Sequence, residues 1–188
     1  GALDDAYAVL KWIYAEANGL SIDADRLAVG GLSAGAGLAA GVALAARDRG
    51  EVKLIFQSLW CPMLDDRNNY VSSYAINDPR VWSRDDNLRA WRAYLGRDGG
   101  GKDTSAYAAP SRALDLTGLP PVYMRVGSLD LFLDENTAYA ERLVSAGVQT
   151  DFAVIDGAFH AFEMLPDAEL SRRVRDGHFA AIKDALFL

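Results

Sequence analysis

The apolar and polar positions of the first 60 residues alternate between short apolar runs and stretches with helical spacing. Residues 4–17 carry apolar side chains three and four positions apart, which predicts an amphipathic helix that stops at Asn18-Gly19. Residues 26–30 predict a short strand, and the Ala-rich stretch from Ala34 to about Arg47 predicts a helix. Residues 52–59 are apolar almost without interruption, which is typical of a strand buried on both faces. The order is therefore helix, strand, helix, strand.

The last 70 residues repeat this alternation. A strand is predicted over 122–127, a helix over about 134–146 and a further strand over 150–155. A final helix follows Pro166, with apolar residues one turn apart. Strands and helices that alternate at this length require parallel pairing. We therefore predict an α/β fold with a doubly wound, mainly parallel sheet in one domain over residues 1–188.

Residues 65–105 differ from the segments around them. They are polar and aromatic, with tryptophans between the Asp-Pro and Gly-Gly-Gly breakers. We expect a mostly helical, cap-like insertion within the domain.

Composition and charge narrow the classes of function. The chain has 188 residues, of which 51% are hydrophobic and 24% are charged, as in one ordinary globular domain. Its net charge of -7 argues against binding nucleic acid. Cys61 is the single cysteine, so no internal disulfide can form, and one thiol with two histidines cannot build a closed zinc site. We expect no metal and no cofactor.

The uncharged stretch from Leu27 to Ala46 raises the question of a membrane span, since about 20 apolar residues cross a bilayer. It consists mostly of Ala and Gly with few large side chains, which suits close packing better than contact with lipid. We therefore expect no membrane span. No signal peptide is recognised at the start of the chain, and a cytoplasmic location is the expectation.

A candidate nucleophile lies between the first predicted strand and the helix after it. Residues 31–35 read Gly-Leu-Ser-Ala-Gly, the Gly-x-Ser-x-Gly pattern of a tight strand-to-helix turn that exposes its serine. We expect that only glycine fits at Gly31 and Gly35, where backbones come close. Ser33 would begin the helix, where free N–H groups and the positive end of the dipole stabilise an oxyanion. The backbone N–H of Ala34 is the candidate donor.

A serine hydroxyl needs a base to accept its proton and an acid to orient that base. His160 follows the last predicted strand, at the edge of the sheet where Ser33 also lies, whereas His178 lies on the apolar face of a helix. We favour His160 as the base. For the acid we favour Asp130, which follows the strand over 122–127 at the same edge. The alternatives are Asp156, Asp65 and Asp66, while Asp134 and Glu135 are more typical of helix starts.

The serine motif alone is weak, but the order serine, aspartate, histidine after successive strands matches the nucleophile-elbow hydrolases. The chain resembles the hormone-sensitive-lipase-like esterases of the α/β-hydrolase fold over nearly its whole length. The segments that carry the resemblance are Leu3-Asp4-Asp5-Ala6, residues 31–35, Leu119-Pro120-Pro121-Val122, residues 130–135, residues 139–143 and His160-Ala161-Phe162. The resemblance implies that Ser33, Asp130 and His160 are nucleophile, acid and base. It implies a partial α/β-hydrolase fold and the hydrolysis of small-molecule carboxylic esters through an acyl-enzyme.

The sequence departs from the family at Leu32, Ala36, Leu131, Phe132 and Ala161, which leaves the three candidate residues in place. The resemblance also implies an upstream His-Gly-Gly-Gly loop that supplies further oxyanion donors. This chain lacks that loop, so we expect it to be the carboxyl-terminal part of an esterase. The strand over 27–30 would then be an open apolar edge, paired by a companion segment or by a second copy.

Four bulky residues could wall an acyl pocket for short to medium chains: Trp60, Met63, Trp82 and Trp91. Plain core packing is an equal alternative for each of them. Two other functions remain open. A non-catalytic ligand-binding protein, or an inactive fragment, could be built on the same scaffold. Residues 35–40 also fit the letters of a dinucleotide fingerprint, but Gln57 and Ser58 stand where an acidic residue would hold the ribose.

Overall fold

The computed structural model describes residues 1–187, which form an α/β structure. Within this range the strands are β1 (Ala28–Leu32), β2 (Phe56–Trp60), β3 (Val122–Leu129) and β4 (Thr150–Phe159). The helices are α1 (Ala2–Ala15), α2 (Ala34–Arg49), α3 (Val71–Ala75), α4 (Arg84–Leu95), α5 (Leu133–Ser145) and α6 (Glu169–Phe187). Two 3₁₀ turns cover Pro110–Arg112 and Phe162–Met164.

The four strands form one sheet in the order β1-β2-β3-β4, and every neighbouring pair is parallel. This confirms the parallel sheet predicted from the alternation of strands and helices. Because all strands run the same way, their carboxyl ends meet at one edge of the sheet. The segments that follow Leu32, Trp60, Leu129 and Phe159 therefore lie at that edge.

Helices cover both faces of the sheet. Apolar residues of α1, α2 and α5 share one core with Leu59 of β2 and Met124 of β3. α2 is buried along most of its length, because its Ala and Gly residues let it pack closely between α1 and the sheet. On the opposite face, α6 packs against β2, where His178 stacks on Trp60. The sheet is thus doubly wound, as predicted.

The strand boundaries differ from the predicted ones. β2 begins at Phe56 rather than at Val52, although Val52 and Leu54 are buried in the core. Burial without ladder hydrogen bonds gives the same apolar pattern as a strand, so the pattern could not separate the two. β4 continues to Phe159, four residues beyond the predicted end of the strand at 155. Its register with β3 shifts between Gly127 and Leu129.

The insertion over 65–105 is less helical than predicted, since only α3 and α4 are helices within it. The rest is turns and extended backbone, held by side chains that bind backbone groups. Asp66 is buried and accepts hydrogen bonds from the Gly100 N–H at 2.7 Å and from Arg112 Nη2 at 2.9 Å. The insertion nevertheless reaches the carboxyl edge of the sheet, because Trp91 of α4 belongs to a buried cluster with Cys61 and Phe132, which follow β2 and β3.

No helix formed by residues 1–187 has both the length and the apolar character that crossing a bilayer requires.

Candidate active site

Ser33 occupies the turn between β1 and α2 in a strained backbone conformation, with φ 57° and ψ -119°. A positive φ in a residue other than glycine costs on the order of 1–3 kcal/mol and persists only where neighbours hold it. Here the Ser33 N–H donates to the Trp60 carbonyl at 2.8 Å, and the Ser33 carbonyl accepts the Met63 N–H at 3.1 Å. Trp60 ends β2 and Met63 lies three residues after it, so the neighbouring strand and the segment that follows it fix the turn.

The two glycines of the serine motif have different roles. A Cβ on Gly31 would meet the backbone of Gly35 and would lie 2.7 Å from the Ala36 nitrogen, so only glycine fits at that position. A Cβ on Gly35 would meet nothing within 4 Å. The expectation that close backbones require glycine at both positions is therefore correct for Gly31 and wrong for Gly35.

Ser33, His160 and Asp130 form a continuous chain of hydrogen bonds. The Ser33 Oγ lies 2.8 Å from His160 Nε2, and His160 Nδ1 lies 2.8 Å from Asp130 Oδ2. The other carboxylate oxygen of Asp130 accepts the Phe132 N–H at 2.9 Å. A buried carboxylate at Nδ1 favours the tautomer whose proton is on Nδ1. Nε2 is then free to accept the serine proton.

The backbone around His160 brings it to Ser33. β4 ends at Phe159, and Ala161 has φ 58°, which turns the chain directly after the histidine. β3 approaches so closely that a Cβ on Gly127 would meet the Ala158 carbonyl oxygen. The Phe132 ring stands edge-on to the imidazole, with 5.0 Å between centroids. The close approach of β3 and the contact with the Phe132 ring therefore hold His160 in position.

His178 is packed away from this site. Ser58 Oγ accepts a hydrogen bond from Trp60 Nε1 at 3.0 Å, and it lies 2.9 Å from His178 Nδ1, to which it can donate its own proton. The imidazole stacks on Trp60 with 4.1 Å between centroids. Burial, and to a smaller extent the Arg125 charge, lowers the pKa of His178 to about 3, so it is neutral. This arrangement is that of a packed histidine.

The alternative acids have other partners. Asp65 pairs with Arg67 at 2.5 Å, and Asp134 accepts the Ser72 N–H at 2.8 Å. Glu135 is buried and accepts the Leu64 N–H at 2.7 Å, and burial raises its pKa. Asp66 is bound as described above, and exposed Asp156 accepts the Ser128 hydroxyl at 3.3 Å. Asp130 is the carboxylate that contacts His160.

A donor for an oxyanion is available beside Ser33. Ala34 is the first residue of α2, and a backbone N–H at that position has no carbonyl one turn earlier within its helix. The same helix end carries a partial positive charge.

An apolar cavity of about 240 Å³ opens beside Ala34. Met63, Trp91 and Ala90 line it, together with Gly35 and Tyr94. A second, larger groove of about 780 Å³ is lined by residues 75–81 and by Leu129 and Phe159, at the ends of β3 and β4. Those two residues directly precede Asp130 and His160, so this groove lies next to the segments that carry them.

The structure separates the four proposed wall residues. Met63 and Trp91 line the cavity, and the Trp82 ring lies 6.1 Å from the His160 ring. Trp60 lies elsewhere, because its ring is on the α6 face of the sheet, stacked on His178 and edge-on to Phe179 at 5.8 Å. Trp60 therefore does not belong to the pocket. Its side chain alternates to the face opposite Leu59, which faces the α2 core.

Two further ionisable groups near the site were missed by sequence reasoning. The sulfur of Cys61 lies within 4.8 Å of ligand atoms of Asp130 and His160. Burial raises the pKa of this thiol, and the nearby carboxylates of Asp130 and Glu163 add to the effect. A metal would need the thiolate, so these three residues are poorly suited to hold one. Glu163 is the second group, and no periodicity or motif in the sequence marks it.

The positions of the glycines in segment 35–40 do not support dinucleotide binding. Gly35 and Gly37 lie inside α2, where a Cβ on Gly37 would meet the Met63 carbonyl. The segment is thus packed against the chain that follows β2, where a fingerprint would need an open approach to a pyrophosphate.

Comparison with known proteins relates the chain to esterases. A model of the alpha/beta hydrolase fold family matches residues 1–164. The carboxylesterase NlhH of Mycobacterium tuberculosis is 35% identical over 159 residues, which cover 80% of this chain and 48% of that protein. An arylesterase of Saccharolobus solfataricus is 30% identical over 197 residues, covering 97% of this chain and 58% of that protein.

Among solved structures, a bacterial heroin esterase matches with a TM-score of 0.93 and 42% sequence identity. The match covers 99% of this chain and 60% of that one. The chain spans about half the length of the first curated relatives it matches.

Proposed function

The chain belongs to the alpha/beta hydrolase fold family, and from this membership we propose that the protein hydrolyses carboxylic esters with Ser33 as its nucleophile. The observation that carries the proposal is the unbroken chain of hydrogen bonds from Ser33 through His160 to Asp130. A serine hydroxyl is a weak nucleophile until a base takes its proton, and the 2.8 Å between Ser33 Oγ and His160 Nε2 supports His160 in that role.

In the proposed reaction the Ser33 Oγ attacks the ester carbonyl carbon while its proton passes to His160 Nε2. The Asp130 carboxylate stabilises the imidazolium that forms. The carbonyl oxygen becomes an oxyanion, which accepts a hydrogen bond from the Ala34 N–H. His160 then gives its proton to the departing alcohol, which leaves an acyl group on Ser33. Water, activated by His160 in the same way, releases the acid.

The two depressions beside the site support an assignment of the two halves of the substrate. The carbonyl oxygen must point to the Ala34 N–H, so the acyl chain lies on that side, in the 240 Å³ cavity. The leaving oxygen must face His160, so the alcohol lies toward the groove beside Phe159. A small, almost wholly apolar cavity suits short to medium acyl chains.

One N–H is a weak oxyanion site, since the loss of a single donor costs about two to three orders of magnitude in turnover. We propose that further donors come from a segment outside this chain, which agrees with the length of its relatives. Activity is therefore to be measured in the natural, full-length polypeptide.

The test is labelling with a fluorophosphonate, which reacts with an activated serine. We expect the natural polypeptide to be labelled and to cleave p-nitrophenyl acetate, and Ser33→Ala to lose both. Ser21→Ala is the matched control, because Ser21 also has φ 57° but is exposed away from the site. A wild-type polypeptide that binds esters but takes no label would instead indicate a non-catalytic binding protein. Labelling that survives in Ser33→Ala would remove the proposed nucleophile.

A further inference from the structure

Glu163 is a buried carboxyl without a hydrogen-bond partner, three residues after the proposed base. It lies in the 3₁₀ turn Phe162–Met164 and is 2% exposed. Neither of its side-chain oxygens has a partner among the residues that the structure describes. Buried carboxylates are normally paired, so this one requires an explanation.

The turn that carries Glu163 is fixed to α6 through its backbone. The Ser171 hydroxyl donates to the Phe162 carbonyl at 2.7 Å. The Arg175 guanidinium donates to the Glu163 carbonyl and, at 3.2 Å, to the Leu165 carbonyl. Arg175, whose charge acts on the Glu163 carboxyl, therefore bonds backbone oxygens and leaves that carboxyl unbonded. Tight backbone anchoring keeps that carboxyl inside the protein.

The ionisable groups around the Glu163 carboxyl come from each element packed near it. Asp130 follows β3, His160 follows β4, Cys61 follows β2 and Arg175 belongs to α6. Burial raises the pKa of Glu163 to about 7, and the Asp130 charge acts in the same direction. His160 and Arg175 oppose that rise. Near neutral pH this carboxyl therefore gains or loses its charge beside the proposed acid and base.

We propose that Glu163 is a positioning residue for the proposed ester hydrolysis, and that its ionised carboxylate stabilises the imidazolium formed when His160 takes the Ser33 proton. The inference rests on the proposed function of His160. Glu163 exchanges its proton with solvent and passes none to substrate, so the proton balance of the reaction is unchanged. Because the two charges have opposite signs, each stabilises the other. A protonated His160 favours ionisation of Glu163, and an ionised Glu163 favours protonation of His160 to the same extent.

The test is the pH dependence of kcat/KM in Glu163→Gln, which keeps the shape of the side chain and removes its charge. Loss of a nearby negative charge makes the imidazolium less stable. The His160 imidazole therefore stays neutral, and able to accept the serine proton, down to a lower pH. We expect the acid limb to move down by about one pH unit. We also expect the plateau rate to fall several-fold, because a transition state that carries the imidazolium loses stabilisation. Glu141→Gln, at an exposed position of α5, is the matched control and should reproduce the wild-type profile.

An acid limb of Glu163→Gln that coincides with the wild-type limb would overturn the proposal, even if the rate falls, because a purely structural role predicts that result. If the variant does not fold, the wild-type profile decides. Two coupled groups predict an acid limb that departs from a single-proton curve, and a good fit to one proton would overturn the proposal. A wild-type polypeptide without fluorophosphonate labelling would instead reject the proposed function itself.

Discussion

Ser33 combines two properties that a free serine lacks, a strained backbone and a base within hydrogen-bond distance. The strain is held by the carbonyl of Trp60, the last residue of β2, and by the N–H of Met63, in the segment that follows β2. Because the strained turn also starts α2, the Ser33 hydroxyl and the N–H of Ala34 are positioned by the same five residues, 31–35. The proposed nucleophile and the proposed oxyanion donor therefore belong to one structural unit, and Gly31 is the residue that lets this unit close.

Alanine substitutions at the two glycines of this unit are predicted to have opposite effects on stability. Gly31→Ala places a Cβ against the backbone of Gly35, and neither backbone can move without breaking the turn. We expect it to lower the free energy of unfolding by more than about 3 kcal/mol, or to prevent folding. Gly35→Ala places its Cβ in open space at the second position of α2, where alanine is favoured over glycine by up to about 1 kcal/mol.

Chemical denaturation of the two variants, monitored by circular dichroism, measures this difference. Equal destabilisation by both substitutions would show that the close contact at Gly31 does not limit the turn.

How far the sequence predicts the site depends on the residue. Ser33, Asp130 and His160 each follow a strand, so the rule that parallel strands end at one edge was sufficient to bring them together. Glu163 follows no strand end and has no periodic neighbours. Its burial arises from the turn at Ala161 and from the backbone anchors on α6, which are tertiary contacts. Trp60 was misplaced for a related reason, since the face of a strand that a side chain occupies depends on register.

At the scale of elements, the sequence predicted whether a segment is a strand or a helix better than it predicted where that segment begins and ends. Every predicted strand and helix outside the insertion is present, but β2 is shorter than predicted and β4 is longer. An apolar run indicates burial, whereas a strand is defined by its ladder of hydrogen bonds. Val52 and Leu54 are buried but lie outside the ladder of β2. The insertion was predicted too helical because its turns depend on particular partners, such as Asp66 with Arg112, that lie far apart in sequence.

The insertion also brings α4 to the cavity beside Ala34, so we predict that the accepted acyl size depends on that helix. Ala90 lines the cavity beside Ala34, so Ala90→Phe should reduce its volume. We expect the ratio of kcat/KM for p-nitrophenyl butyrate to that for the acetate to fall about tenfold. Ala93→Phe, at an exposed position of the same helix, is the control and should leave the ratio unchanged. Equal losses for both esters would argue that this cavity does not receive the acyl chain.

At the scale of the whole molecule, the family expected from the sequence is confirmed, and so is the α/β-hydrolase fold. The alternation of elements sufficed for the sheet because each crossover can be made in essentially one way. The alternation of strands and helices does not predict what lies beside the outer edge of β1. β1 pairs with β2 on one side, and within residues 1–187 no strand pairs with its other side.

The open edge of β1 adjoins an apolar groove of about 290 Å³ that α1 and α2 complete. Val9 and Ile13 of α1 line this groove, and Val9 is 55% exposed. Unpaired strand edges beside apolar surface recruit partners. We therefore predict that the 188-residue chain, prepared alone, associates with itself through this surface, and that a charge placed in the groove opposes the association.

Sedimentation velocity at several concentrations tests this prediction with Val9→Glu, which puts a carboxylate on the groove. The matched control is Val144→Glu on α5, because Val144 is similarly exposed, at 60%, but lies outside the groove. We expect the wild-type chain and Val144→Glu to associate with rising concentration, and Val9→Glu to shift toward monomer. If the natural polypeptide remains monomeric under the same conditions, a further segment of it covers the edge. A wild-type chain that is monomeric at every concentration would contradict the prediction, since an apolar edge that is already stable in water needs no partner.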